Sequence, residues 1–118
     1  YDFQSIINKY GDLLDFVNGK QPNAAIFIQA NLHVSKKRSD SDKYINNKNI
    51  DRLNSELSKS ANGKSTFYID ANPLFDDKDG NLSLDKTSDN AHLYARYYTE
   101  WGEWICKETA KVLKERQS

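Results

Sequence analysis

The sequence is poor in cysteine and methionine and carries no net charge, and each shortage excludes a class of protein. Its 118 residues include one Cys and no Met, and seventeen Lys and Arg balance seventeen Asp and Glu. Cys106 alone cannot form an internal disulfide or hold a zinc ion, so we expect no disulfide or metal framework. No motif points to a cofactor, and we expect none. We predict that Cys106 is a small buried side chain of a helix. The zero charge removes the electrostatic argument for a nucleic-acid partner, because phosphate-binding domains normally carry a basic excess.

Long apolar runs are also missing. None approaches the roughly 20 residues that a membrane-spanning helix requires, so we predict no membrane span and expect a soluble domain, either cytoplasmic or secreted. The length suits one domain over residues 1–118. Because the chain starts at Tyr1 and has no Met, we expect it to be a piece of a longer protein.

Apolar residues recur at helical spacing in three segments and form short β-type runs in two others. The pattern predicts a helix over residues 1–18, a strand buried on both faces over 24–32, a helix over 47–61, a strand over 66–70 and a long helix with an aromatic face over 90–115. Asn18 and Gly19 are predicted to end the first helix in a left-handed conformation. Residues 34–49 are predicted to form a polar surface loop. Residues 71–88 show no clear period, which in so long a connection indicates function or disorder.

The alternation of helices and strands predicts an α/β fold with a parallel sheet whose faces are covered by helices. Two strands alone leave hydrogen-bonding edges open on both sides of the sheet. We therefore expect something to extend the sheet, either residues upstream of Tyr1 or another chain, such as a second copy in a homo-oligomer.

Two histidines lie where ligands bind in such folds, beyond the carboxyl ends of the strands. Asp89 and His92 are three residues apart at the predicted start of the last helix. The Asp can therefore accept the Nδ1 proton of the His and leave Nε2 free to act as a base. The alternative is that Asp89 only caps the helix and His92 is an ordinary surface residue. His33, after the first strand, has either a loop or core-edge role or a contact with substrate.

The acidic segment from Asp76 to Gly80 is similar to a calcium loop but fails its register. With Gly80 at loop position 6, Phe75 and Lys86 occupy positions 1 and 12, where carboxylates are required. We predict an Asp-Gly turn there instead.

The closing part of the sequence resembles a known family. Residues 87–93, Thr-Ser-Asp-Asn-Ala-His-Leu, are followed by Tyr97 or Tyr98 and then Trp101. This order is similar to the last motif of the SGNH/GDSL hydrolases, where Asp-Gly-x-His-Leu opens the final helix. The resemblance extends over all 118 residues but covers only the back, C-terminal half of the family's fold. Asn90 replaces the usual Gly, and His33 stands where the family often has Pro.

The resemblance implies a flavodoxin-like, three-layer α/β/α hydrolase, present here as a partial unit, that cleaves carboxylic esters with a Ser-His-Asp triad. His92 would be the general base and acid, and Asp89 its orienting partner. The nucleophilic Ser and the oxyanion donors would lie in an N-terminal half upstream of Tyr1, so we expect the chain alone to be inactive. The substrate would be a small-molecule or carbohydrate ester. The alternative is a non-catalytic α/β binding or interaction module.

Overall fold

The computed structural model describes residues 3–21 and 23–117. The helices are α1 (Phe3–Lys20), α2 (Lys36–Ser41), α3 (Asn47–Ser58), α4 (Asn72–Phe75) and α5 (Ala95–Gln117), and the strands are β1 (Ile26–Gln29) and β2 (Thr66–Ile69). A short 3₁₀ helix covers Leu84–Lys86. The architecture is mixed α/β with a parallel sheet, as predicted, and is compatible with part of a larger α/β unit.

The sheet consists of β1 and β2, which pair in parallel from Ile26 opposite Thr66 to Gln29 opposite Ile69. No further strand joins them within the described ranges. The prediction of a strand buried on both faces is wrong for most of β1. Ile28 is buried, but Gln29 is exposed and the first two residues are only half-buried. The faces of β1 are incompletely covered because few other elements pack against this two-stranded sheet in the described part of the chain.

The two outer edges of the sheet differ. The amides of Ile26 and Ala30 donate toward β2, so by the alternation of a strand the backbone groups of Phe27 and Gln29 face the outer edge of β1. At the outer edge of β2, the carbonyl of Thr66 already accepts from the turn at residues 62–63. Within the described part of the chain the outer edge of β1 is therefore open, whereas the outer edge of β2 is occupied at Thr66.

Helix α1 does not end where the sequence predicted. The helix runs on to Lys20, and Gly19 lies outside the left-handed region that the prediction required. The amide of Gln21 donates to the carbonyl of Val17 at 2.8 Å, which continues the helical hydrogen-bond ladder past the expected stop.

The predicted loop over residues 34–49 contains helix α2. The hydroxyl of Ser35 caps this helix by accepting from the amide of Arg38 at 3.2 Å. Ion pairs at i,i+4 spacing, Lys36 with Asp40 and Arg38 with Asp42, support its surface. Helix α3 then begins at residue 47, as predicted, and ends three residues early at Ser58.

The aperiodic segment after β2 supplies much of the core. Ala71, Phe75, Leu82 and Leu93 form a buried cluster, against which Tyr97 and both tryptophans of α5 pack. The rings of Tyr97 and Trp101 meet Phe75 edge-on, with centroids 6.3 and 6.4 Å away.

Helix α5 begins at Ala95, five residues later than predicted. Part of its aromatic face packs in the core, as expected, while Tyr98 stays nearly half exposed. Cys106 is exposed, so the prediction that it is buried is wrong. No helix in residues 3–21 and 23–117 is both long and apolar enough to cross a membrane.

Candidate active site

Asp89 and His92 lie in a tight turn ahead of α5. Because α5 starts only at Ala95, the prediction that the pair lies at the start of the last helix is wrong, and so is the alternative in which Asp89 only caps that helix. Asp89 instead caps the turn itself. Its Oδ1 accepts from the amides of Ala91 (2.9 Å) and His92 (2.7 Å). An antiparallel β-bridge pairs Thr87 with Leu93, so the turn is complete before the helix begins.

The backbone of this turn passes through a left-handed residue. Asn90 has a φ of 69°, the only positive value at a residue other than Gly in the described ranges. Asn is among the few residues that tolerate this region, which Gly adopts most readily. The conformation bends the chain so that both the amide and the ring of His92 approach the carboxylate of Asp89.

The two side chains form the hydrogen bond expected from their spacing. His92 Nδ1 and Asp89 Oδ2 are 2.7 Å apart. A carboxylate only accepts, so Nδ1 carries the proton and donates it. Hydrogen bonds from the amide of His92, its ring and the amide of Ala91 hold the pKa of Asp89 far below its usual range. The pair is therefore an ionised carboxylate that orients an imidazole.

The other ring nitrogen of His92 is available for chemistry. Nε2 has no hydrogen-bond partner among the described residues, and 76% of the side chain is exposed. With the proton on Nδ1, Nε2 holds a lone pair and can accept a proton from a reacting group.

His92 lies in the wall of a cleft of about 630 Å³ at the carboxyl end of β1. The size falls within the usual range for small-molecule sites. Most of the lining is apolar or aromatic, and the polar exceptions are the dyad histidine and three amide side chains. The lining residues are Gln29, Ala30, Asn31, Leu32, Val34, Tyr44, Ile45, Asn49, Ile50, Leu53, Ala91, His92, Leu93, Tyr98 and Trp101.

Buried asparagines hold the loop that forms the floor of this cleft. Asn54 exchanges hydrogen bonds with the backbone amide and carbonyl of Asn31, at 2.8 and 2.9 Å. Asn47 does the same for Val34, at 2.8 Å each. Asn72 accepts from the amide of His33 at 2.8 Å. Sequence reasoning missed the role of these residues, because nothing in the local pattern separates a buried Asn from an exposed one.

His33 lies in a different environment from His92 and does not line the cleft. Its Nδ1 is 2.7 Å from Asp76 Oδ2, and its Nε2 is 2.5 Å from Asp51 Oδ1. The side chain is 11% exposed. Of the two roles left open by the sequence, the contacts favour a structural one that ties α3 to the segment after α4.

The Asp-Gly turn is confirmed. Asp77 Oδ1 accepts from the amides of Asp79 and Asn81, and Gly80 has a φ of 82°. In the part of the chain that the structure describes, no three His, Cys, Asp or Glu side chains cluster so as to hold a metal ion.

Comparison with known proteins gives one finding about the fold. No family model and no curated protein matches the sequence. Among solved structures, the chain is similar to one described as "a putative platelet activating factor from Streptococcus pneumonia", with a TM-score of 0.71 and 18% identity. The match covers 98% of this chain and 52% of that one, so the chain spans about half the length of its structural neighbour. At this identity the likeness concerns the fold alone.

Proposed function

We propose that this chain supplies the acid–base half of a serine ester hydrolase of the SGNH/GDSL type. His92 is the general base and acid, and Asp89 orients it. The observation that carries the proposal is the 2.7 Å hydrogen bond from His92 Nδ1 to Asp89, formed in a cleft wall with Nε2 unbonded among the described residues. The nucleophilic Ser and the oxyanion donors come from a segment upstream of Tyr1, so the chain alone is inactive.

In this proposal the imidazole of His92 first accepts and then donates a proton in each half of the reaction. Nε2 accepts the proton of the Ser hydroxyl as its oxygen attacks the ester carbonyl carbon, and the imidazolium then donates that proton to the leaving alkoxide. Water hydrolyses the acyl-enzyme by the same two transfers. Asp89 stays ionised throughout, because the three hydrogen bonds that lower its pKa persist. It therefore stabilises the imidazolium without taking the proton.

Three further observations support the proposal. Asn90 adopts the left-handed backbone that would explain Gly at this position in the resembling family. The open edge of β1 leaves a place for further strands of a three-layer α/β/α fold. The structural neighbour is about twice as long as the match, and its name, which refers to platelet activating factor, hints at a hydrolase.

The substrate we propose is a small-molecule or carbohydrate ester. The apolar and aromatic lining of the cleft suits the apolar part of such a molecule. The amide side chains of Asn31 and Asn49 offer hydrogen bonds to its polar part.

The test uses the full-length protein that contains this chain. We expect a fluorophosphonate probe to label it covalently, and His92→Ala to abolish labelling and lower ester turnover by several powers of ten. Asp89→Asn should lower turnover by up to about 10⁴ because tautomer control is lost. Asp79→Asn is the matched control, since Asp79 lies in the exposed Asp-Gly turn.

Two outcomes contradict the proposal. Near-wild-type esterase activity after His92→Ala would reject the assignment of the base. Failure of the well-folded full-length protein to react with the probe would support a non-catalytic binding module instead.

A further inference from the structure

We propose that Ser35 is a positioning residue for the Asp89–His92 pair and acts through Asn90. Ser35 is completely buried. Its amide donates to the carbonyl oxygen of Asn90 at 2.9 Å, and its Oγ donates to Asn90 Oδ1 at 2.8 Å. One residue at the start of α2 thus holds both the backbone and the side chain of Asn90, which directly follows Asp89.

Asn90 needs such support because of its backbone. A φ of 69° places it in a region that is unfavourable for L-residues other than Gly, although Asn tolerates it better than most. This torsion sets the direction in which the chain leaves Asp89. It therefore decides whether one carboxylate can reach both the amide and the ring of His92.

Ser35 is itself held from several sides. The amide of Arg38 donates to its Oγ, and the amide of Ser39 donates to its carbonyl. Its neighbour Val34 is clamped at both backbone groups by the side chain of Asn47. Hydrogen bonds therefore join α3 to Val34 and Ser35 to Asn90, and the peptide bond between Val34 and Ser35 connects the two sets.

Removing the hydroxyl of Ser35 frees the side chain of Asn90 and lets the turn relax. The hydrogen bond from His92 Nδ1 to Asp89 then opens part of the time, and the ring proton is no longer confined to Nδ1. The consequence for catalysis rests on the proposed function, but the effect on the ring proton does not.

The experiment is ¹⁵N NMR of the histidine rings in the 118-residue chain at about pH 9, where an ordinary histidine is neutral. We expect Ser35→Ala to lower the ratio of Nδ1-H to Nε2-H tautomers of His92 about fivefold, the equivalent of one hydrogen bond. Ser35→Thr, which keeps the hydroxyl, should restore part of the ratio. Ser41→Ala is the control, because Ser41 is an exposed serine of the same helix.

A second pair of variants separates positioning from a general structural role. Asn90→Gly keeps a backbone suited to positive φ but removes the acceptor of the Ser35 hydroxyl, so we expect it to lower the tautomer ratio as well. Adding Ser35→Ala to Asn90→Gly should then cause little further decrease. An undiminished decrease would show that Ser35 acts through its cap of α2, and would overturn the proposal.

Unfolding by urea is measured in parallel, so that a loss of stability is not mistaken for a loss of positioning. If Ser35→Ala does not fold, Asn90→Gly decides alone: a folded variant with the wild-type tautomer ratio overturns the proposal. A normal tautomer response together with no probe labelling of the full-length protein would reject the hydrolase and leave the positioning role intact.

Discussion

Raising the pH is expected to destabilise this protein through His33. The ring lies between two carboxylates, Asp76 at 2.7 Å and Asp51 at 2.5 Å. Because carboxylates only accept, both ring nitrogens must carry protons for both contacts to be hydrogen bonds. Burial of the ring opposes its charge, but the hydrogen bonds and charges of the two carboxylates outweigh burial and raise the pKa of His33.

The direction of the effect follows from the raised pKa. Stabilisation by His33 is complete below the unfolded-state pKa of about 6.5 and is lost as the pH rises through the higher folded-state pKa. The contact with Asp76 dominates, because these side chains are only 11% and 13% exposed, whereas Asp51 is 66% exposed and adds little. A hydrogen bond to a charged group contributes about 1.5–3 kcal/mol. We therefore expect His33→Gln to cost about 2 kcal/mol below the unfolded-state pKa.

The assay is urea unfolding followed by tryptophan fluorescence at about pH 6 and about pH 9, on either side of the pKa of an ordinary histidine. We expect the difference in unfolding free energy between wild type and His33→Gln to shrink as the pH rises. His92→Gln is the matched control, since His92 is largely exposed and its loss should change stability little. A difference for His33→Gln that stays constant or grows with pH would refute the reasoning.

Three further predictions concern the core, the cleft floor and the sheet edge. Phe75→Ala removes the most buried aromatic ring among the residues that the structure describes and should lower the unfolding free energy by about 3–5 kcal/mol in the same urea assay. Asn47→Ala removes the acceptor of the Val34 amide and one of the two donors to the Val34 carbonyl, which keeps its bond from the amide of Leu82, and should cost about 1–3 kcal/mol. The contact of Asn49 is exposed, so Asn49→Ala should be nearly neutral. The open edge of β1 should let the 118-residue chain self-associate. Gln29→Pro, which removes an amide facing that edge, should lower the mass measured by light scattering without loss of the circular dichroism spectrum; a monomeric wild type would contradict this.

The sequence predicted correctly those helix starts and turns that depend on hydrogen bonds between neighbouring residues. The start of α3 at Asn47 follows from the side chain of Asn46, which accepts from the amide of Asn49. The turn at Gly80 depends only on Asp77 and on a glycine at positive φ. The approach of Asp89 to His92 was likewise predicted, because three residues of separation bring the side chains together in a turn as well as in a helix.

Tertiary contacts explain where the predictions were wrong. The spacing of aromatic residues over 90–115 predicted a helix that begins at residue 90. Thr87 pairs instead with Leu93, and the carbonyl of Asn90 accepts from the amide of Ser35. The helix α5 therefore starts only at Ala95. The polar composition after β1 concealed helix α2, because charge alone does not distinguish a solvated loop from a short capped helix.

The sequence by itself determined the mixed α/β class, the parallel pairing of β1 with β2 and the pairing of Asp89 with His92, because each depends on residues close together along the chain or on the period of apolar side chains. Only the tertiary structure decided that His33 joins Asp51 and Asp76, that Asn47 and Ser35 support the turn, and that a cleft opens beside His92. These contacts join residues distant in sequence, and no local spacing records which buried polar groups will meet once the core has formed.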